Sequence, residues 1–221
     1  MMCPVSETKP AKKCRGWLIA VIAVVALLAI AAVVLWSTGV FAKWFTPSAA
    51  SPEQLAEDFV KAYCLKDMPT QFSLSLQDER RQWEDGVLAD HKTEEAFCEV
   101  VQKQADEKGL DVTIRSFDDY LAAYHQRMLA QMEEFYGPFT VDAKVIEKAK
   151  MTDEELEAYR DKLLGGFNGD YYDEQQLDAV TEAYSIRVGY TVDGEKEDFY
   201  EEYTVSVVKL NDRWLIGDHS N

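Results

Sequence analysis

The chain has few of the residues that usually identify a reaction or a nucleic-acid partner. Its 221 residues include 23 Lys and Arg against 40 Asp and Glu, a formal net charge of −17. Phosphate backbones are bound by clustered basic side chains, so this composition excludes a nucleic-acid partner. The three histidines, His91, His125 and His219, are isolated and form no zinc motif. Four cysteines are too few for the disulfide framework of a small secreted protein.

No catalytic residue set and no cofactor motif can be recognised either. The Ser and Cys residues lack a nucleophile elbow or an adjacent histidine base. What the chain does have is a hydrophobic fraction of 47%, which excludes wholesale disorder. The length allows one sizeable domain that can fold on its own core.

The N-terminal region predicts a membrane anchor. Residues 1–16 carry four basic side chains and one acid, and residues 17–36 are uninterruptedly apolar with a Trp at each end. Such a run spans about 30 Å as a helix, the hydrocarbon thickness of a bilayer. The positive-inside rule then places a tail, 1–16, in the cytoplasm. The transmembrane helix is 17–36, the linker is 37–50, and the domain 51–221 lies outside the cell membrane.

A cleaved signal peptide is the competing interpretation. Val40-Phe41-Ala42 has the apolar and small residues that a signal peptidase accepts. The apolar core of a signal peptide is usually about 7–15 residues, however, and this run is longer. Its length favours a retained single-pass anchor.

The exported part is strongly acidic, with 39 acids and 18 bases in residues 44–221. One interpretation is a solvated surface that keeps the domain soluble. The other is a site for cations or for a basic partner such as a cationic wall polymer. No calcium-loop motif supports the second interpretation.

Two cysteines of the exported part allow two states. Cys64 and Cys98 lie outside the membrane, where a disulfide can persist. A bridge would close a loop of roughly 35 residues and stabilise the domain by about 3–4 kcal/mol. Two buried thiols on apolar helix faces are the alternative. Cys3 and Cys14 lack the paired spacing of a zinc site.

Capping signals predict helices in the first part of the domain, about 51–165. Helices should start after Ser51, Thr93, Ser116 and Thr152, each of which stands at an N-cap position. The first helix should end at Asp67-Met68-Pro69, and the stretch 70–92 is ambiguous. Residues 139–147 alternate as in a strand.

The last part of the domain, about 183–217, is rich in strands. Alternating apolar residues are separated by the turn signals Asp193-Gly194 and Asn211-Asp212. Helices followed by antiparallel hairpins predict an α+β fold.

Both ends of this domain resemble a known family. The opening helix finishes Ala62-Tyr63-Cys64-Leu65-Lys66-Asp67, and the closing meander runs from Val205 to Ile216. Together they resemble the nuclear-transport-factor-like (cystatin-like) cone of membrane-anchored extracytoplasmic proteins of Gram-positive bacteria, many of which have no assigned activity. Residues 70–115 fit that pattern poorly and look like additional helical material.

The resemblance implies a curved sheet that wraps a helix and can enclose a pocket. Enzymes of this class use an Asp or His base in the cone, often with a Tyr donor. The candidate pocket-lining residues are Glu201, Tyr203, Phe199, Tyr124 and Trp214. Two functions follow: a binding or interaction module that partners an envelope protein or wall component, or a pocket protein that binds or transforms a small ligand.

Strand register gives Glu201 a specific place. A two-residue loop at Asn211-Asp212 pairs Leu210 with Arg213, and counting back in twos puts Glu201 on the same face as Tyr203. As an unpaired carboxylate on an apolar face, Glu201 would be a pocket acid with a raised pKa, and Glu201→Gln would stabilise the domain. A strand bulge that turns Glu201 to water is the alternative. The neighbouring Glu202 should face solvent.

Overall fold

The computed structural model of the protein describes residues 51–166 and 169–220. The predicted tail 1–16, the predicted transmembrane helix 17–36 and the whole linker 37–50 lie outside that part. Among the residues described, no helix is both long and apolar enough to cross a bilayer. The helices of this part are α1 Pro52–Cys64, α2 Met68–Leu74, α3 Glu79–His91, α4 Glu94–Glu107, α5 Phe117–Tyr136, α6 Asp153–Gly165 and α7 Glu174–Asp178, with a 3-10 turn at Gly169–Tyr171.

Helix starts are set by the predicted N-caps. The side chains of Ser51, Thr93, Ser116 and Thr152 each accept a hydrogen bond from the backbone N–H three residues ahead. At Thr152 the N3 glutamate, Glu155, bonds back to the cap backbone and completes a capping box. These starts are confirmed.

Four strands form one antiparallel sheet in the order β1-β2-β3-β4. The strands are β1 Phe139–Lys150, β2 Val180–Gly194, β3 Phe199–Leu210 and β4 Arg213–Ser220. With the helices, this sheet makes the domain α+β, as predicted.

The register of the closing hairpin is confirmed residue by residue. Leu210 pairs with Arg213, and Lys209 pairs with Trp214. Asn211 and Asp212 have φ of 48° and 62°, the left-handed pair that a two-residue hairpin turn requires. A bulge lies between Ser206 and Val207 in the β3–β4 ladder, and β4 continues to Ser220, beyond the predicted end at 217.

The main core lies where α1 packs on one face of the sheet. Leu55, Ala56, Phe59 and Val60 project from α1 at 0–1% exposure. They meet apolar side chains at alternate positions of the strands, among them Ile186, Val188, Val205, Val207 and Ile216. Burial of this face supplies the main driving force for folding.

The opposite face of the sheet carries a second core. Leu156, Tyr159 and Leu163 of α6 pack there with Leu177 of α7 and with Val208 of β3. Val208 neighbours Val207 in the strand, so the two side chains point to opposite faces and each enters a different core.

Helices α3, α4 and α5 form a third cluster with its own centre. The indole of Trp83 stacks on Tyr120 at 5.9 Å between ring centroids and meets Phe117 edge-on at 5.1 Å. Phe97 and Cys98 of α4 are buried in the same cluster. We call residues 79–136 the helical region.

The first helix ends at Cys64, close to the predicted end at Asp67-Met68-Pro69, and the same segment opens the next helix. Asp67 caps the start of α2, with Pro69 in its first turn, where proline needs no N–H partner. The ambiguous stretch 70–92 is mainly helical, in α2 and α3. The alternation predicted at 139–147 is confirmed by strand β1, which lies inside the part expected to be mainly helical and forms one edge of the sheet.

Cys64 and Cys98 are free thiols. Cys64 is buried in the core around α1, and Cys98 is buried in the cluster of the helical region. Of the two predicted alternatives, the structure has the two buried thiols. Burial raises the pKa of Cys64 to about 11, which keeps its sulfur protonated at neutral pH.

Candidate functional site

Glu201 lies on the sheet face predicted for it, with a partner. It pairs across the ladder with Tyr190, whose hydroxyl donates a 2.6 Å hydrogen bond to Glu201 Oε2. Burial, and then the bond to Glu201, raise the pKa of Tyr190 above its ordinary value. Glu201 is half-buried, so the expected unpaired carboxylate is in fact a hydrogen-bonded one.

The surroundings of this pair are aromatic. Tyr203 packs its ring on Tyr63 of α1 at 4.7 Å between centroids, and burial raises the pKa of Tyr203. His219 is exposed on one side and packs on Phe59 at 5.2 Å. Burial lowers the pKa of His219, although the neighbouring Asp218 opposes this. We call Tyr63, Tyr190, Glu201, Tyr203 and His219 the sheet-face cluster.

Glu202 points away from this cluster, as predicted. Its carboxylate accepts a hydrogen bond from Arg187 at 3.0 Å and another from the Tyr200 hydroxyl at 3.0 Å. It is exposed, whereas Glu201 is half-buried. The two adjacent acids therefore differ in burial and in partners.

The other predicted pocket residues are dispersed. Phe199 is 39% exposed and packs on Tyr190 at 5.9 Å, beside the Glu201 pair. Trp214 pairs with Lys209, eight residues along β3 from Glu201, or roughly 26 Å at the strand rise of about 3.3 Å per residue. Tyr124 belongs to α5 and lines a cavity of the helical region instead. The five residues do not form one pocket.

A cavity of about 600 Å³ lies in the helical region between α4 and α5. Its walls are mainly aliphatic, and the segment 108–116 between the two helices closes one side of it. We call it the helical cavity. Its larger apolar lining residues are Phe97, Val100, Val101, Leu110, Val112 and Ile114.

The wall segment is held by hydrogen bonds from its backbone to side chains of the two helices. The amide of Gln102 donates to Val112 O at 3.1 Å and accepts from Ile114 N–H at 2.7 Å. At the start of α5, the carboxylate of Glu94 accepts from Phe117 N–H at 2.6 Å. These bonds fix the segment against α4, so the cavity is built into the fold.

Some of the apolar side chains that line the cavity are exposed to solvent. Val100 and Leu110 are both 42% exposed although they line it. The polar lining groups are the amides of Gln104 and Gln126, the ring of His91, the hydroxyls of Tyr120 and Tyr124, and the cations of Lys108 and Arg127. An apolar cavity of several hundred Å³ with a small number of polar groups is the usual form of a ligand site.

The sequence held one signal of this cavity that was missed. Leu110, Val112 and Ile114 alternate within a segment that is neither helix nor strand. Apolar residues in such a connection need a covering surface, which here is the cavity wall.

A polar groove on the other side of α4 is the second depression in this region. It is lined by charged and amide side chains together with Cys98 and Ile114. In the part of the chain described, no group of three or more His, Cys, Asp and Glu side chains is placed to hold a metal ion.

Comparison with known proteins gives no relative. No family model matches the chain, and neither a curated protein nor a solved structure matches it significantly.

Proposed function

We propose that the chain is a single-pass, membrane-anchored extracytoplasmic binding module, and that the helical cavity is its binding site. The observation that carries the proposal is the cavity of about 600 Å³ with open apolar walls. Exposed contiguous apolar surface on a soluble domain is usually functional, because water makes it costly. No catalytic role is proposed.

The division of the domain supports this choice. The core around α1 holds side chains at 0–1% exposure. In contrast, α3 has no fully buried residue, and α4 and α5 leave the helical cavity between them. The region that contributes less to folding is thus the one that can accept a ligand.

Binding is tested with the full-length chain in phosphatidylcholine nanodiscs and an uncharged long-chain alcohol that carries a photoreactive diazirine. Labelling should be saturable and should map to peptides within 94–136. Ala130→Phe should reduce it, because Ala130 lines the cavity and a phenyl ring would occupy the space. Ala122→Phe is the matched control: it is an exposed alanine of the same helix that does not line the cavity.

Equal labelling of the Ala130→Phe and Ala122→Phe variants would contradict the helical cavity as the binding site. So would labelling that does not saturate. Neither result depends on the charge of the probe.

The proposed location rests on residues 1–36. The basic tail and the apolar run favour an N-terminus in the cytoplasm and a domain outside the membrane. External protease on intact cells should therefore degrade residues 46–221 and spare the tail. Digestion that occurs only after lysis would refute this orientation.

A cone-type pocket protein is the second candidate, and the Tyr190–Glu201 hydrogen bond favours it. The proposal relates the domain to the nuclear-transport-factor-like cone, and α1 lying across a four-stranded antiparallel sheet supports that relation. Against it, both cavities described above are lined by residues of the helical region alone. An envelope protein or a wall component remains the proposed partner if the helical cavity binds part of a larger molecule.

A further inference from the structure

We infer that the helical cavity takes a single-chain amphiphile with an anionic head group. The alkyl chain would lie against the aliphatic walls, and the head would meet Arg127 and Lys108. This inference rests on the proposed function, since it names the ligand class of the same cavity.

The charge of the lining is the first argument. Of the 221 residues, 40 are acidic and 23 are basic. The sixteen lining residues nevertheless include Arg127 and Lys108 and no Asp or Glu. Sixteen residues with the average composition of the chain would include about three acidic residues. The cavity is thus positively charged in a domain that is otherwise strongly negative, and this selects an anion.

The two cations are available to a ligand. Within residues 51–166 and 169–220, no carboxylate lies within ion-pair distance of Arg127 or Lys108. Two other cations of the helical region, in contrast, are paired: Lys103 with Glu107 at 3.9 Å, and Arg80 with Asp118 at 2.8 Å. Both Arg127 and Lys108 are exposed, so an incoming head group can reach them from solvent.

The positions of these cations fit a head group at the edge of an apolar wall. Lys108 is the C-cap residue of α4, one turn beyond Gln104, and Arg127 lies one turn beyond Ala123 on α5. Arginine binds carboxylate and phosphate groups through two parallel N–H donors, whereas lysine acts as a point charge. Carboxylate and phosphate heads therefore share the chemistry that this pair recognises.

The walls favour an alkyl chain over a peptide. Helix backbones of α4 and α5 are internally hydrogen-bonded, and the Val112 and Ile114 backbone groups are bound by Gln102. The remaining neutral hydrogen-bonding groups of the lining belong to five side chains, those of His91, Gln104, Tyr120, Tyr124 and Gln126. An extended peptide would leave its own N–H and C=O groups unpaired there, which an alkyl chain does not.

The test compares three photoreactive probes of one chain length on the full-length protein in phosphatidylcholine nanodiscs. The probes are a carboxylate, the corresponding alcohol and the corresponding trimethylammonium compound. The carboxylate should label the helical cavity about tenfold more strongly than the alcohol, and the ammonium compound less than the alcohol.

Substitution of the two cations should remove this preference. Arg127→Gln with Lys108→Gln should lower carboxylate labelling to the level of the alcohol and leave alcohol labelling unchanged. The matched control is Arg115→Gln with Lys103→Gln, the same charge change on side chains of the polar groove. Retained alcohol labelling also shows that the variant is folded.

Competition by unlabelled palmitate and by lysophosphatidate separates the two sources of the head group. Displacement by either one supports the inference and identifies its head as carboxylate or phosphate. Equal labelling by carboxylate and alcohol would overturn the inference while leaving the proposed binding site intact. A carboxylate preference that survives the double substitution would overturn it as well.

Discussion

Two parts of the domain differ in how completely their side chains are buried. One is the sheet together with α1, and the other is the helical region. Around α1, Phe59, Val60 and Ile186 have no exposed surface. In the helical region Leu121 is almost equally buried at 1%, but the buried side chains of the cluster around Trp83 are 4–7% exposed, and Val100 is 42% exposed beside an open cavity. The closest packing and the proposed ligand site therefore lie in separate parts of the domain.

Packing density has an energetic meaning here. A closed core loses attractive contacts and opens a void when a side chain is cut back, whereas a side chain at an existing cavity loses less. Substitutions in the two regions should therefore separate folding from binding.

The largest effect is expected for Phe59→Ala. Residues 46–221 without the anchor should be soluble and unfold cooperatively, and Phe59→Ala should lower their free energy of unfolding by about 3–5 kcal/mol. Phe97→Ala, which enlarges the helical cavity, should cost only about 2–3 kcal/mol. Urea denaturation measures both. Equal costs would mean that the helical region is as closely packed as the core around α1.

The next effect concerns the sheet-face cluster. Glu201→Gln was expected to be stabilising if the carboxylate had no partner, but the Tyr190 hydroxyl binds it at 2.6 Å. The Gln side-chain oxygen can still accept from Tyr190 but carries no charge, so the weakened hydrogen bond should instead cost about 1 kcal/mol. Glu202→Gln should change little, because Glu202 is exposed.

A double-mutant cycle with Tyr190→Phe isolates this bond. The coupling between Tyr190→Phe and Glu201→Gln should account for most of the cost of either single change. The free energies of unfolding are measured by urea denaturation. If the effects of Tyr190→Phe and Glu201→Gln are additive, the hydrogen bond between the two side chains does not explain the burial of Glu201.

A smaller effect should depend on pH through His219. Burial lowers the pKa of His219 in the folded chain, so the unfolded chain binds the proton more readily. The neutral ring of His219 therefore stabilises the fold fully at pH values above about 6.5, the ordinary pKa of histidine. This stabilisation is lost as the pH falls from there toward the lower pKa of His219 in the folded chain. His219→Gln should reduce this loss between pH 7.5 and 5.5.

His91→Gln is the control for that experiment, because His91 lies in the helical region outside the sheet-face cluster. The two variants are compared by the change in urea midpoint between the two pH values. A change that is identical in both variants and in the unaltered chain would show that His219 does not contribute.

The smallest effect is expected from a reductant. Since Cys64 and Cys98 are free and belong to separate clusters, dithiothreitol should leave the urea midpoint unchanged. Thiol titration should show slow reaction in the folded state and full reaction of both after unfolding without reductant. Loss of two titratable thiols, with a midpoint that falls on reduction, would indicate a bridge.

The sequence predicts local structure well where a single residue type decides the geometry. Ser51, Thr93, Ser116 and Thr152 could be assigned because an N-cap needs a short side-chain acceptor. The register at Glu201 followed from a two-residue turn and the strict alternation of strands. The helix that Pro69 opens was missed, because proline both ends helices and occupies their first turn.

The site was less predictable than the fold. Tyr124 was grouped with Glu201 through a family resemblance, yet the structure places it in the helical cavity. Helical periodicity shows which face is apolar, but the gap left between two helices depends on how the connection 108–116 folds. The exposed Val100 could not be told from an ordinary core residue by its spacing.

The two edges of the open sheet have a consequence for self-association. A bulge between Val145 and Glu147 interrupts the edge strand β1. The exposed residues of β1 include Lys144 and Lys148. At the other edge, Leu76 N–H donates to Ile216 O at 2.7 Å. One edge strand, β1, is thus bulged and charged, and the other, β4, is partly covered. A second chain therefore cannot easily add a strand to either edge of the sheet. Domains crowded onto one surface can then remain separate molecules instead of polymerising through their strands.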